Sequence, residues 1–339
     1  MQDVILQRLG APRSELLHGP KMGVDNAVVR VSKGTVAVCT TDPISIIPSL
    51  GLDNSAWLSV NLLASDVTTS GFRPDFAIFD LNLPPKLEDI ALEGYWRGIH
   101  KACEELGVGI VGGHTGRFVG CDYTIVGGGF MFALGSEKRY LVASMARTGD
   151  VLLLTKGAAI VTTGILAYAF PNKIEEKFGG QFLRRARTYL RQASTVREAL
   201  AATSVGVREG GVTAMHDVTE GGVLGALYEL VTASGKGARI DGKAIRVAKE
   251  TQEICRLFDI DPLNALSEGS LIISIRPEKS ARVEAALQKE GIDSFKIGEI
   301  SDSRNGIVMS DELGERRLEY PSKDSYWEAY WKALDKRWS

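Results

Sequence analysis

The spacing of apolar positions divides the chain into short strands and amphipathic helices. Val4 to Leu9 reads as a short helix, followed by a Pro/Gly connection ending at Gly19-Pro20. Two β-branched runs, Ala27 to Val31 and Thr35 to Thr40, flank a Lys33-Gly34 turn and predict a hairpin. Trp57, Val60, Leu63, Ala64 and Val67 recur near a 3.6-residue period and predict a helix over 55–71, ended before Pro74. Phe76 to Leu83 reads as a buried strand and 88–107 as a helix capped by Gly107. Val108 to Val111 reads as a short strand entering a Gly112-Gly113-His114-Thr115-Gly116 loop, and Tyr123 to Leu134 as a further strand.

The polar turn Arg147-Thr148-Gly149-Asp150 separates two apolar segments and marks the best boundary. Beyond it the pattern predicts strands at 151–155, 212–215, 238–240, 271–275 and 295–300. Helices are expected at 160–170, 179–203, 219–234, 246–257 and 279–290. Asp324 to Trp338, with Trp327, Tyr330 and Trp331, reads as an aromatic helix packed on the body. Strands and helices alternate in both halves, so the expected class is α/β (or α+β) in two domains. The expected division is 1–148, 149–315 and a tail helix over 316–339, which suits a chain of 339 residues.

Composition narrows the function classes. With 44% hydrophobic and 24% charged residues the chain has the balance of a soluble globular protein. A net charge of −2 gives no footprint for nucleic acid or an anionic membrane, and no apolar run reaches the length of a bilayer span. The four cysteines, Cys39, Cys103, Cys121 and Cys255, form no CxxC pair, so neither a zinc site nor a disulfide framework is expected and a cytoplasmic setting is the default. Glycine is enriched, 37 in 339, without any collagen-like period.

Five segments place an acid or a histidine at a strand end or in a small-residue helix beside Gly, Ser or Thr. They are Gly23–Val29 around Asp25, Thr40-Thr41-Asp42, Asn61–Asp66, Gly112–Gly116 around His114, and Met215–Gly222 around Asp217. Mg²⁺ takes hard oxygen ligands, usually one or two carboxylates with phosphate oxygens and water. Glycine beside such acids lets backbone approach a phosphate. Singly, each segment also reads as a turn former or helix cap. The Gly112–Gly116 stretch lacks both the Lys-Ser/Thr ending of a Walker loop and the spacing of a dinucleotide fingerprint. His216 beside Asp217 is not expected to act as a dyad, because sequence neighbours often point apart.

Taken in order, the segments resemble the superfamily of aminoimidazole ribonucleotide synthetase, which includes thiamine-monophosphate kinase, selenophosphate synthetase and the hydrogenase-maturation dehydratase HypE. Its motifs run GDDAAVV, TTD, N…D…GARP, GGDT or GGET, and DxTxGG. Here the counterparts are GVDNAVV at 23–29, TTD at 40–42, NLLASDVTTSGFRP at 61–74, GGHT at 112–115, TKG at 155–157 and MHDVTEGG at 215–222. Ser267-Glu268-Gly269 resembles the NEG of the HypE group. The resemblance implies two α/β domains, a homodimer that pairs its N-terminal sheets, and ATP with Mg²⁺ between domains. By position it implies Asp25, Asp42, Asp66 and Asp217 as metal ligands. Gly23, Asp25, Asn61, Gly112, Gly113, His114, Thr115 and Lys156 would line the nucleotide.

Two departures stand out. His114 replaces the usual acid of GGDT, and Asn26 replaces the second acid of GDDAAV. Imidazole is a softer ligand than Mg²⁺ prefers, so either one metal is lost or His114 contacts phosphate directly. No cysteine follows Cys255, so chemistry on a C-terminal thiol is not expected, and Met1–Pro20 holds neither the Cys nor the Sec of selenophosphate synthetases. The texture is nearest the HypE-related proteins. The expected activity is ATP- and Mg-dependent phosphoryl transfer to a small-molecule oxygen, by a kinase or an ATP-driven ligase or dehydratase. The alternative is a nucleotide-binding protein with reduced catalysis, serving in a complex or as a sensor.

Overall fold

The computed structural model describes residues 2–121, 124–312 and 314–339. Its first half contains α1 (Gln2–Ile5), β1 (Leu16–His18), β2 (Ala27–Ser32), β3 (Thr35–Ser45), α2 (Gly51–Thr69), β4 (Phe76–Leu83), α3 (Asp89–Leu106), β5 (Gly109–Arg117) and β6 (Ile125–Ser136). The strands form one sheet in the order β1-β2-β3-β6-β4-β5, antiparallel except for the β4–β5 pair. Alternation along β3 and β4 sends Ile44, Ala77, Phe79 and Leu81 inward under α2 and α3, while Val36 and Val38 pack with Val28, Tyr140 and Val142. The opposite face is not covered: Phe76 and Phe132 stack there at 5.3 Å, and Ile78, Phe130 and Leu134 are exposed.

The second half runs β7 (Val151–Thr155), α4 (Ile160–Ala169), α5 (Pro171–Phe178), α6 (Gly180–Thr188), α7 (Val196–Ser204), β8 (Val212–Asp217), α8 (Gly222–Ala233) and β9 (Gly237–Asp241). It continues with α9 (Lys249–Phe258), β10 (Leu271–Ile275), α10 (Ser280–Lys289), β11 (Ser294–Ser301), β12 (Ile307–Asp311), β13 (Gly314–Arg317) and α11 (Ser325–Asp335). Its sheet has the order β13-β12-β9-β11-β7-β10-β8. Strands β7 and β10 and the edge strand β8 are buried along their whole length, because α8 covers one face and α7 with α10 the other. A third apolar cluster joins α4, α6, α9 and α11 to Leu58 of α2.

Several expectations need correction. The first helix covers Gln2–Ile5 rather than 4–9, and β1 was not anticipated, since three residues carry no readable period. The Gly112–Gly116 stretch is strand, not loop: it pairs in parallel with β4, and a side chain at Gly113 would collide with the Phe79 carbonyl. Gly113 serves close strand approach rather than a turn. The helix expected over 179–203 is broken into α6, a 3₁₀ turn at Tyr189–Gln192, and α7. The β12–β13 hairpin was missed, and through it residues 316 and 317 belong to the second sheet rather than to the tail. The expected strand start at Tyr123 lies outside the described residues.

Gly164 shows how tightly the helical layer sits on the broken segment. It lies inside α4, where a Cβ would meet the backbone of Leu190 in the 3₁₀ turn. In a free helix, glycine to alanine stabilises by roughly 0.5–1 kcal/mol. Here overpacking opposes that gain, so Gly164→Ala is expected to lose about 1–3 kcal/mol. Urea unfolding checks the sign, and an unchanged or higher midpoint would show that α4 does not press on this turn.

Candidate functional site

The acids of the sequence motifs converge where the two sheets face each other through α2. Asp25 lies in the connection entering β2, Asp42 near the end of β3, Asp66 on the last turns of α2, and Asp217 at the end of β8. Thr40 links two of them: its hydroxyl lies 2.8 Å from Asp66 Oδ2 and 3.0 Å from the Asp25 carbonyl. Asn26 ties the same loop to α2, donating to Thr69 Oγ1 at 2.8 Å and to the Asp66 carbonyl at 3.3 Å. The residue in place of the second acid is therefore a buried strut. Gly23 (φ 70°) lets this loop pass against the Glu229 backbone, where any Cβ would collide.

His216 sits inside the acid group. Its Nδ1 is 3.0 Å from Asp25 Oδ1 and 3.9 Å from Asp217 Oδ1, and its Nε2 is 3.1 Å from Glu229 Oε2. Burial disfavours the imidazolium, yet Asp25, Glu229 and Asp217 outweigh it and lift the imidazole to about 9. The carboxyls move up as well. Burial raises Asp25 to about 6 even against the pull of His216. Burial with the Glu220 charge raises Asp42 to about 7, and burial with the Asp25 charge raises Asp217 to about 8. Asp66 is pushed well above the carboxylate range by burial and by Asp217, Asp25 and Asp42. Glu268, on the turn before β10, is raised likewise by burial and by Asp217, Glu220, Asp42 and Asp66.

A cation fits this place on the structure's own terms. Asp217 Oδ1 is buried without a hydrogen-bond partner, and ligand atoms of Asp25, His216 and Asp217 lie within 4.8 Å of one another. Hard carboxylate oxygens in that number suit Mg²⁺, whereas an imidazole nitrogen suits it poorly; of His216, Nε2 is hydrogen-bonded to Glu229 and Nδ1 lies against Asp25 without a hydrogen bond.

Residues 23–134 match the family model described as the N-terminal domain of AIR synthase related protein, and residues 147–311 match its C-terminal domain. The chain belongs to the AIR synthase-related family. Among curated relatives of this family member, the selenide, water dikinase of Escherichia coli strain K12 is 28% identical over 322 residues, covering 87% of each chain. In fold it is similar to HypE of a HypE–HypF complex (TM-score 0.74, 18% identity, 94% of this chain and 99% of that one). It is similar also to a ThiL complexed with AMPPCP and TMP (TM-score 0.69, 18% identity, 91% and 92%).

Within this AIR synthase-related chain the remaining motif residues fall in two other places. His114 is paired with Asp80 across β4–β5, on the uncovered face of the sheet, where it stacks on Phe118. Asp42 is on the helix-covered side and three strands away, a separation of roughly 14 Å. Gly112, Gly113 and Thr115 share that edge strand, so one chain alone does not bring them to the acids. Asn61 and Lys156 line a cavity on another flank of α2. The Lys156 ammonium is spent there: it pairs with Glu198 at 2.5 Å and donates to the carbonyls of Gln192 and Ser194 at 2.8 Å. Asn61 donates to the Trp57 carbonyl at 2.9 Å. His216 and Glu229 were not anticipated as site residues, since Glu229 joins the group only through His216, whose contact with Asp25 links segments far apart in the chain. Glu268 was flagged only through the Ser-Glu-Gly resemblance.

The raised pKa values set a pH dependence. A carboxyl whose folded pKa lies above its unfolded value near 4 binds its proton more tightly when folded, so its contribution falls as pH rises. The raised imidazole of His216 acts in the same sense between about 6.5 and 9. Thermal unfolding in EDTA should therefore show the midpoint falling steadily from about pH 5 to about pH 9, with millimolar Mg²⁺ flattening the slope. A metal-free midpoint that rises over this range would contradict the site as described. Separately, His216→Ala leaves Asp25 and Glu229 facing each other without a cation, and should cost about 3 kcal/mol or more at neutral pH by urea unfolding.

Proposed function

We propose that the protein binds ATP with Mg²⁺ at the acid group and transfers a phosphoryl group to an oxygen of a small molecule. The observation that carries this reading is the convergence of Asp25, Asp42, Asp66, Asp217 and Glu268 in one largely buried place, with a carboxylate oxygen of Asp217 left without a hydrogen bond. Without bound cations such a group repels a triphosphate. Bound Mg²⁺ supplies the charge neutralisation that lets phosphate enter. The residues then act by position. Asp25, Asp42, Asp66 and Asp217 hold the metal ions, Thr40 orients Asp66, and His216 anchors Asp25 through its ring nitrogen. The step breaks the bond from phosphorus to the departing nucleotide oxygen and forms one to the acceptor oxygen, with little covalent work left to the protein. The names of the relatives agree with this chemistry: a dikinase in sequence, and in fold a ThiL carrying an ATP analogue.

We also propose that the working form is a homodimer joined through the uncovered sheet face. Phe76, Ile78, Phe130, Phe132 and Leu134 form an apolar surface there, and such faces on soluble proteins mark association sites. Pairing across that face is also the arrangement that could carry His114, Gly112, Gly113 and Thr115 toward a partner's acids. The setting proposed is cytoplasmic, and among the described residues no helix is long and apolar enough to cross a membrane.

ATP consumption with and without Mg²⁺, followed by ³¹P NMR across a panel of small oxygen acceptors, tests the reading. Asp66→Asn and Asp217→Asn should each lower turnover on the order of a hundredfold or more while leaving the fold intact. Mg-dependent ATP binding without turnover on any acceptor would instead favour a nucleotide-binding role, as would the single carboxylate left at Asp25-Asn26. Absence of Mg-dependent ATP binding would remove both.

A further inference from the structure

The second cavity, about 530 Å³, lies between α2 and the segment joining α6 to α7. Residues 180–197 hold five arginines and no acid, in a chain whose net charge is −2. Two of them, Arg191 and Arg197, line the cavity together with Arg246 from the approach to α9. The Arg191 guanidinium lies 4.8 Å from the Trp57 ring centroid and donates to Asn54 Oδ1, a neutral acceptor. Arg197 contacts only Glu290 at the rim, where both side chains are exposed. The Arg246 side chain has no hydrogen-bond or ion-pair partner among the described residues, and it also borders a neighbouring cavity lined by Lys243 and Lys296 with no acid at all. Of the two acids in the lining, buried Glu198 is neutralised by Lys156 and Asp293 is exposed. Three guanidinium groups are thus held along one concave surface, and of the three only Arg197 has an acid partner, at the exposed rim.

We infer that this cavity binds a small phosphorylated anion, with Arg191, Arg197 and Arg246 as its ligands and Trp57 and Tyr189 as its aromatic walls. Guanidinium forks match phosphate oxygens two at a time, which suits three arginines around one pocket better than it suits solvent. The site is distinct from the acid group, yet its wall touches that group's supports. Thr195 N donates to Ser65 Oγ at 3.0 Å, beside Asp66, and the Gln192 carbonyl packs on Gly269, beside Glu268, too closely for any Cβ. The cavity wall therefore lies one residue layer away from two of the acids.

The inference does not depend on phosphoryl transfer, and its test separates the two. In EDTA the acid group cannot hold phosphate, so any anion binding there reports the arginine cavity. Titration calorimetry with pyrophosphate on the full chain should show binding that weakens with added salt. Arg191→Gln combined with Arg246→Gln should weaken it roughly tenfold or more, with an unchanged thermal midpoint because both side chains are exposed. Asp66→Asn should leave it unchanged. AMP and inorganic phosphate form two further arms: tighter AMP binding identifies a nucleotide, and equal binding identifies the phosphate alone. No binding of pyrophosphate up to about 10 mM, or binding that survives the double substitution, overturns the site. Loss of Mg-dependent ATP binding alone would count against the acid group and leave this cavity standing.

Discussion

Carboxylates brought together out of water repel one another, and much of this fold supplies the means of keeping them close. Burial costs an ionised acid heavily unless it is paired, hydrogen-bonded or protonated. Each recourse is in use here. His216 lends positive charge to Asp25 and Glu229, Thr40 donates to Asp66, and Asp66 and Glu268 are held toward their neutral forms. The surrounding frame is correspondingly stiff: β7, β8 and β10 are buried from end to end, and α2 is packed on both sides. A looser scaffold would relieve the repulsion by moving the acids apart. The energy of packing is what maintains a place suited to cations.

Helix α2 is the common element of both halves. Its Val60, Leu63 and Val67 face the first sheet, Leu58 faces the helical layer of the second half, and Asp66 faces the acids. Trp57 and Asn61 face the arginine-lined cavity. Four surfaces leave little room for large side chains, and the helix accordingly carries Ser55, Ser59, Ala64 and Ser65 buried among its contacts. Its serines turn inward to satisfy backbone groups, as Ser55 does for Ile47 and Ser65 for Thr195.

Elements with a strong period were legible in the sequence: the 27–40 hairpin, α2, β4, α3 and the central strands of the second half all lie close to where the pattern put them. Short or polar elements were not, because three or four residues such as Leu16–His18 or Gly314–Arg317 carry too little pattern to separate from loop. Candidate acids were legible as residue types at strand and helix ends. Their partners were not. Nothing local distinguishes His216 from any histidine beside an aspartate; its meaning comes from Asp25 and Glu229, which only the tertiary fold supplies. His114 shows the converse. Its glycine-rich setting resembles a phosphate loop, but the register of β5 on β4 decides which face it occupies, and register is a property of pairing.

The loop after β8 owes part of its shape to residues synthesised much later. Gly221 N, at the start of α8, donates to Asp324 Oδ2 at 2.8 Å, and the same carboxylate caps α11 through Tyr326 N. One side chain therefore fastens the loop carrying Glu220 and starts the final helix. A nascent chain that has not yet released residue 324 holds its acids on a loop with one anchor missing. The loop beside the acid group thus takes one of its anchors from a segment 103 residues further along the chain.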